Sequence, residues 1–196
     1  SSFQERPKHL DPARSYSSNE YAFIAQIYEP LFQYHYLKKP YQLIPLAAKE
    51  MPELIYLDNK FEKTKDKNKV RYIKYVLKIK RGILYQNHPA FYKNGSNYRY
   101  HNLKKTELEG IDTIKDFKNE STRELTSDDY IYQIKRLADY KNHSPIAGVM
   151  QEYIFGFSEY NKKISNAKYK NNSERIELIK SNQIKGVEKI DNFTFS

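Results

Sequence analysis

The clearest alternation of apolar and polar positions runs from Thr126 to Asn161, TSDDYIYQIKRLADYKNHSPIAGVMQEYIFGFSEYN. Tyr130, Ile131, Ile134, Leu137 and Ala138 recur at steps of three and four, which gathers them on one face of a helix and turns Gln133, Lys135 and Arg136 elsewhere. Thr126 or Ser127 is placed to cap this helix, and Asp128 and Asp129 complement the positive end of its dipole, so a helix is expected over Asp128 to Tyr140. Ser144 followed by Pro145 repeats the start signal, because proline at a first helical position loses no intrahelical bond. From there Ile146, Val149, Met150, Tyr153, Ile154 and Phe157 predict one continuous stripe reaching Asn161. Both stripes read as core.

The rest of the chain alternates shorter signals. Ser17 or Ser18 can cap a helix through Asn19 to Glu29, with Tyr21, Ile24, Ala25 and Tyr28 on one side and Pro30 ending it. Leu31 to Tyr36 predicts a short aromatic strand. Tyr41 to Leu57 reads as extended, interrupted by Pro45 and Pro52, with a helical piece around Leu46 to Glu50. Lys60 to Asn68 is a polar connector of the kind that closes a hairpin. The strongest strand is Val70 to Ile79, where Ile73, Tyr75, Leu77 and Ile79 alternate onto an expected buried face while Tyr72, Lys74, Val76 and Lys78 face water; Arg81-Gly82 ends it. Phe91 to Arg123 loses periodicity and reads as a long surface insertion, with a short helix at Lys115 to Lys118. Glu174 to Lys180 predicts a helix, and Gly186 to Phe195 a strand cut short by the end of the chain. The expected class is α/β of the mixed α+β kind, a sheet containing Val70 to Ile79 and Gly186 to Phe195 with the two central helices packed on one face.

Composition narrows the function classes. With 196 residues, 39% hydrophobic content, 19 Tyr and 10 Phe, the chain can build a core. The 34 basic and 24 acidic residues give a net charge of +10, which favours acidic partners such as nucleic acid or an anionic membrane surface. The basic residues are nevertheless spread along the chain, and their one concentration, Lys60 to Arg81, is diluted by Asp58, Glu62 and Asp66. Solvated lysine is the preferred reading, and no nucleic-acid partner is expected. The absence of cysteine removes disulfides, thiolate chemistry and cysteine zinc sites. No span approaches the apolar length of a membrane helix, and Ser1 to Arg14 carries no signal-peptide pattern.

No catalytic constellation stands out. His9, His35, His88, His101 and His143 match neither HExxH nor a finger spacing, so no metal site and no cofactor are expected. The pair Asp128-Asp129 is better explained as a helix start than as catalytic carboxylates. With 6 Gly and none of the nucleophile-elbow or phosphate-loop motifs, the chain is not read as an enzyme. The tyrosines could stack on bases or sugars, and an alternative reading is a basic, tyrosine-rich nucleic-acid-binding module; core packing accounts for most of them.

Taken in order, several segments resemble the N-terminal part of the bacterial extracellular solute-binding proteins of family 5, the dipeptide and oligopeptide receptors of ABC importers. They are Leu10-Asp11-Pro12, Ile27 to Phe32 (IYEPLF), Tyr75 to Ile83 (YVLKIKRGI), the run from Leu125 with Asp128-Asp129, Lys135-Arg136-Leu137-Ala138 and Ser144-Pro145, and Gly186 to Phe195. The resemblance spans almost the whole chain but a minority of the family's length. It implies an N-terminal portion of a type II periplasmic binding protein fold, truncated at its C-terminus. Residues 1–57 would start the ligand-facing lobe I, and residues 58–196 would form its smaller subdomain, with an insertion at about 91–123 where the family has a short loop. The implied role is the substrate-binding component of an ABC import system, capturing peptides or related small solutes by closure of two lobes and delivering them to a membrane permease. A fragment of this kind is expected to bind poorly alone and to self-associate through apolar surface between Leu31 and Leu57. The resemblance places Ser15, Tyr16, Ser17, Ser18, Asn19 and Ile146 near the ligand; at Ile146 some relatives carry a tyrosine, whose hydroxyl contact is missing here. The implied location is the periplasm or a lipid-anchored position at the cell envelope.

Overall fold

The computed structural model describes residues 5–196. It is a mixed α/β structure with small antiparallel sheets, and its residues group into two compact units, one of residues 5–80 with Thr126–Ser196 and one of Arg81–Leu125. Within the first unit, Ser17 caps helix α1 (Ser18–Ile27), and strands β1 (Phe32–Tyr34) and β2 (Leu43–Pro45) pair as an antiparallel hairpin. Strand β3 (Glu53–Leu57) pairs in register with β4 (Tyr72–Lys78), Leu54 opposite Tyr75 and Tyr56 opposite Ile73. The expected helical piece at Leu46 to Glu50 is absent; Ala48 instead bridges Ile79, and Lys80 N–H donates to Ala47 O, so that stretch is consumed by sheet contacts.

The second unit holds the aperiodic stretch. Strands β5 (Lys93–Asn94) and β6 (Asn97–Tyr98) form a miniature hairpin turned at Gly95, whose φ of +64° suits glycine. Bridges from Leu84 to Glu124 and from His88 to Ser121 close the base of the unit. Packing is aromatic: Tyr100 meets Phe117 edge-on at 4.9 Å, and the Arg123 guanidinium lies 4.5 Å from the Tyr85 ring centroid and 5.3 Å from that of Phe91. Lack of periodicity here reflects order built from turns and ring contacts. The expected helix at Lys115 to Lys118 is a single 3-10 turn at Ile114–Asp116.

The first central helix is α2 (Ser127–Leu137), three residues shorter at its end than expected, because a 3-10 turn at Tyr140–Asn142 follows. The second expected helix is broken into α3 (Ala147–Tyr153) and α4 (Phe157–Asn166). The break is Gly156, at φ +78°, beside Phe155, whose carbonyl accepts from Gly186 N–H at 2.8 Å. The Ser-Pro signal also shifts: Ile146 precedes α3, and the Ser144 hydroxyl makes no hydrogen bond. The stripe divides accordingly, with Phe157 buried while Val149 and Tyr153 are exposed. Helix α5 (Asn172–Ser181) forms as its pattern predicts, capped by Asn171.

The expected strand Gly186 to Phe195 is a hairpin of β7 (Lys189–Asp191) and β8 (Thr194–Phe195), turned by the Asp191 carboxylate accepting from Phe193 N–H at 2.6 Å. The main sheet runs β3-β4-β8-β7, and Leu77 faces Phe195 across it. Helix α2 packs on β7, β8 and α5, stacking Tyr130 on Phe195, and its start is tied down by Ser127 Oγ donating to Asp191 O at 2.6 Å. This cover reaches one end only of the β4 face expected to be buried. Ile79 is buried, whereas Ile73 and Tyr75 remain 43% and 48% exposed together with their partners Tyr56 and Leu54. On the opposite face Tyr72 stacks on Phe61 at 4.6 Å and meets Phe155 edge-on.

The core of the first unit sits among α2, α4 and α5, where Ile131, Leu137, Ala138, Phe157, Tyr160, Ile164, Ile179 and Ile184 are buried. Polar groups there have partners. Tyr160 OH donates to Ile179 O at 2.8 Å, and burial, with the nearby Asp139 charge, pushes its phenol well above the usual range. The buried Lys135 donates to Lys180 O at 2.9 Å, and desolvation lowers its pKa. The Asp139 carboxylate, 1% exposed, is paired with Arg175.

Candidate functional site

The loop between Leu10 and Ser18 is shaped by two carboxylates. Asp11 starts it: its backbone carbonyl accepts from Arg14 and Ser15 N–H, and its side chain accepts from Ala13 N–H at 3.0 Å. The same carboxylate receives both terminal nitrogens of Arg136 on α2, Nη1 to Oδ1 at 2.9 Å and Nη2 to Oδ2 at 2.5 Å. Such a fork fixes direction as well as distance. Burial opposes ionisation of Asp11, but the Arg136 guanidinium and the Ala13 amide outweigh it and the pKa falls. Arg136 is raised in turn, burial being overcome by the same pairing.

Glu20 closes the loop from the other side. It stands three residues after the N-cap Ser17, where a capping box places its carboxylate back over the helix start. Oε2 accepts from Ser15 Oγ at 2.8 Å and from the amides of Tyr16 and Ser17 at 3.2 and 3.3 Å, while Oε1 accepts from the amides of Lys8 and His9 at 3.0 and 2.9 Å. The side chain is 4% exposed, and the Ser15 hydroxyl and the His9 amide lead the contacts that pull its pKa down to about 2. One carboxylate thus satisfies the amide donors of two chain segments.

Between these anchors lies an open groove of about 500 Å³ lined by Pro12, Ser15, Tyr16, Ser17, Ser18, Tyr21 and Ile24. Ser15, Tyr16, Ser17 and Ser18, expected near the ligand, therefore share one surface. Asn19 is exposed in the first turn of α1 and does not line the groove, and neither does Ile146, half-buried just before α3. Tyr21, placed on one side of its helix with Ile24, Ala25 and Tyr28, is 67% exposed, and Tyr28 and Ala25 are exposed as well, because α1 lies on the surface with Glu20 as its buried residue. The sequence signal for Glu20 was present in the Ser17-x-x-Glu20 spacing.

The groove's chemistry follows from what the anchors consume. None of its lining residues carries a charge, and the amides of Tyr16 and Ser17 are already committed to Glu20. It offers the rings of Tyr16 and Tyr21, the apolar surfaces of Pro12 and Ile24, and serine hydroxyls. That set suits an uncharged, partly apolar group with hydrogen-bonding capacity, and it contains no acid–base pair.

The chain matches no protein-family model and no curated protein. Among the described residues no group of three or more His, Asp or Glu side chains converges as metal ligands would. Three of the histidines serve the backbone: His35 Nδ1 accepts from Leu37 and Lys38 N–H, His88 Nδ1 accepts from Ala90 N–H, and His101 Nε2 donates to Ala90 O at 2.8 Å. Asp128 and Asp129 are used structurally, Asp128 pairing with Lys189 at 2.6 Å and Asp129 accepting from Thr126 N–H at 2.8 Å. Among the described residues no helix is long and apolar enough to cross a membrane.

Proposed function

We propose that this chain acts as a solute receptor of a bacterial ABC import system, contributing the groove at Pro12 to Ile24 to the capture of a peptide or similar small solute and handing it to a membrane permease. In this reading the fold is the first part of a type II binding protein, and the protein works in the periplasm or anchored at the cell envelope. The observation that carries the reading is the coincidence of Ser15 to Ser18, singled out by the family resemblance, with one preorganised groove. A rigid rim lowers the ordering cost of binding, and the Asp11–Arg136 and Glu20 contacts supply that rigidity. The role requires no covalent step. Binding by one lobe alone is weak, since closure of a second lobe would bury the other side of the solute.

The proposal is tested in the host by deleting the gene and following uptake of labelled di- to pentapeptides. Loss of uptake of a subset, restored by the intact gene, supports the role. Unchanged uptake of every peptide and of competing small solutes contradicts it.

A further inference from the structure

The β1–β2 hairpin carries an exposed tip whose chemistry the groove does not use. Tyr36 is 95% exposed, Leu37 77%, Tyr41 75% and Tyr34 68%, with exposed Lys38 and Lys39 between them. From Pro30 to Lys49 there is no acidic residue. The tip is held in shape: His35 N–H donates to Gln42 O at 2.7 Å, the His35 ring accepts from Leu37 and Lys38 N–H at 3.2 and 3.3 Å, and Tyr34 and Tyr41 meet edge-on with centroids 6.1 Å apart. Water therefore faces a fixed knob of three tyrosines, a leucine and two cations.

We infer that this tip docks on an anionic phospholipid surface, Tyr36, Leu37 and Tyr41 entering the interface while Lys38 and Lys39 meet the headgroups. Charge complementarity selects this partner. Tyrosine, with an apolar ring and a polar end, is suited to the boundary between hydrocarbon and headgroups, and lysines at that level are attracted by anionic lipid. The chain's net charge of +10 adds long-range attraction to the same anionic surface. The inference stands independently of the import reading, since it rests on a different surface and a different ligand.

The test exploits the absence of tryptophan from the chain. Tyr36→Trp introduces a single reporter at the tip, and Tyr153→Trp a control at another exposed site. With vesicles of phosphatidylglycerol and phosphatidylcholine, both variants should co-sediment and only the residue 36 reporter should shift its emission to the blue. Neither should bind phosphatidylcholine alone. Leu37→Asp should weaken binding roughly ten-fold through lost apolar burial, and replacing Lys38 and Lys39 together by Gln about 25-fold. No association with anionic vesicles overturns the inference. Association without a shift at position 36, or with an equal shift at position 153, also overturns it, as adsorption of a basic protein without use of the tip. Vesicle-independent self-association abolished by Leu37→Asp would overturn it in favour of a second copy.

Discussion

Arg136 on α2 grips Asp11 through both terminal nitrogens, joining residues 125 positions apart in the chain. The pair fastens the groove-forming loop to the helix that also covers the Phe195 end of the main sheet. Its position makes loop geometry and core stability one problem.

Arg136→Ala should destabilise the protein by about 2 kcal/mol, the usual scale for a charge-assisted hydrogen-bonded pair that is mostly shielded from solvent. Asp11→Ala should cost a similar amount, and a double-mutant cycle by urea unfolding should return a coupling of about 1–2 kcal/mol. Additive single costs would show that the fork contributes nothing as a pair.

Glu20 predicts a dependence on acid. Its folded pKa of about 2 lies below the ordinary 4.5, so the native state binds its proton later than the unfolded state does. The contribution is therefore complete above 4.5 and disappears as pH falls from there towards 2; the lowered pKa of Asp11 acts in the same direction. Urea midpoints measured across that window should fall less steeply in Glu20→Gln than in the parent protein. Parallel pH profiles would contradict the clamp.

Gly186 and Gly156 test the corner between α3 and α4. A methyl group on Gly186 would stand 2.6 Å from Phe155 O, and one on Gly156 would stand 2.8 Å from Lys185 Cβ on a backbone already at φ +78°. Each change to Ala should cost about 1–3 kcal/mol. Gly110→Ala, at φ +76° but with open space around it, should cost about 1–2 kcal/mol from backbone strain alone. The comparison is read from thermal unfolding of the three variants.

Arg175→Met removes the partner of the buried Asp139 while keeping apolar bulk. Leaving that carboxylate uncompensated should destabilise by about 3 kcal/mol, whereas replacing both residues by apolar ones should recover much of the loss. Denaturant titration of the two variants distinguishes them.

These contacts also mark what the sequence could and could not convey. Capping chemistry is local, so Ser17 announces α1 and the Lys60 to Asn68 connector announces the β3–β4 hairpin. The break at Gly156 depends on Phe155 being met by Gly186, thirty positions on from Gly156, and nothing in the apolar stripe foreshadows it. Alternation along strand β4 marks Ile73, Tyr75 and Leu77 as one apolar face, but it could not say that α2 would cover only the Leu77 and Phe195 end and leave Ile73 and Tyr75 bare. The segment Ser15 to Ser18, named by the family resemblance, lines one groove, and of the groove's two supports only Glu20 had a local signal, its spacing from Ser17. Arg136 was turned away from the apolar face of its helix, and that direction is where Asp11 arrives.

Chemical-shift mapping on isotopically labelled protein tests the groove most directly. Short neutral peptides with apolar side chains, titrated to millimolar concentration, should perturb the amides of Tyr16, Ser17, Ser18 and Tyr21 in a saturable way, and Tyr16→Ala with Tyr21→Ala should remove the effect. Absence of any saturable change at those amides, or changes confined to another surface, would contradict the assignment of this groove as the solute site.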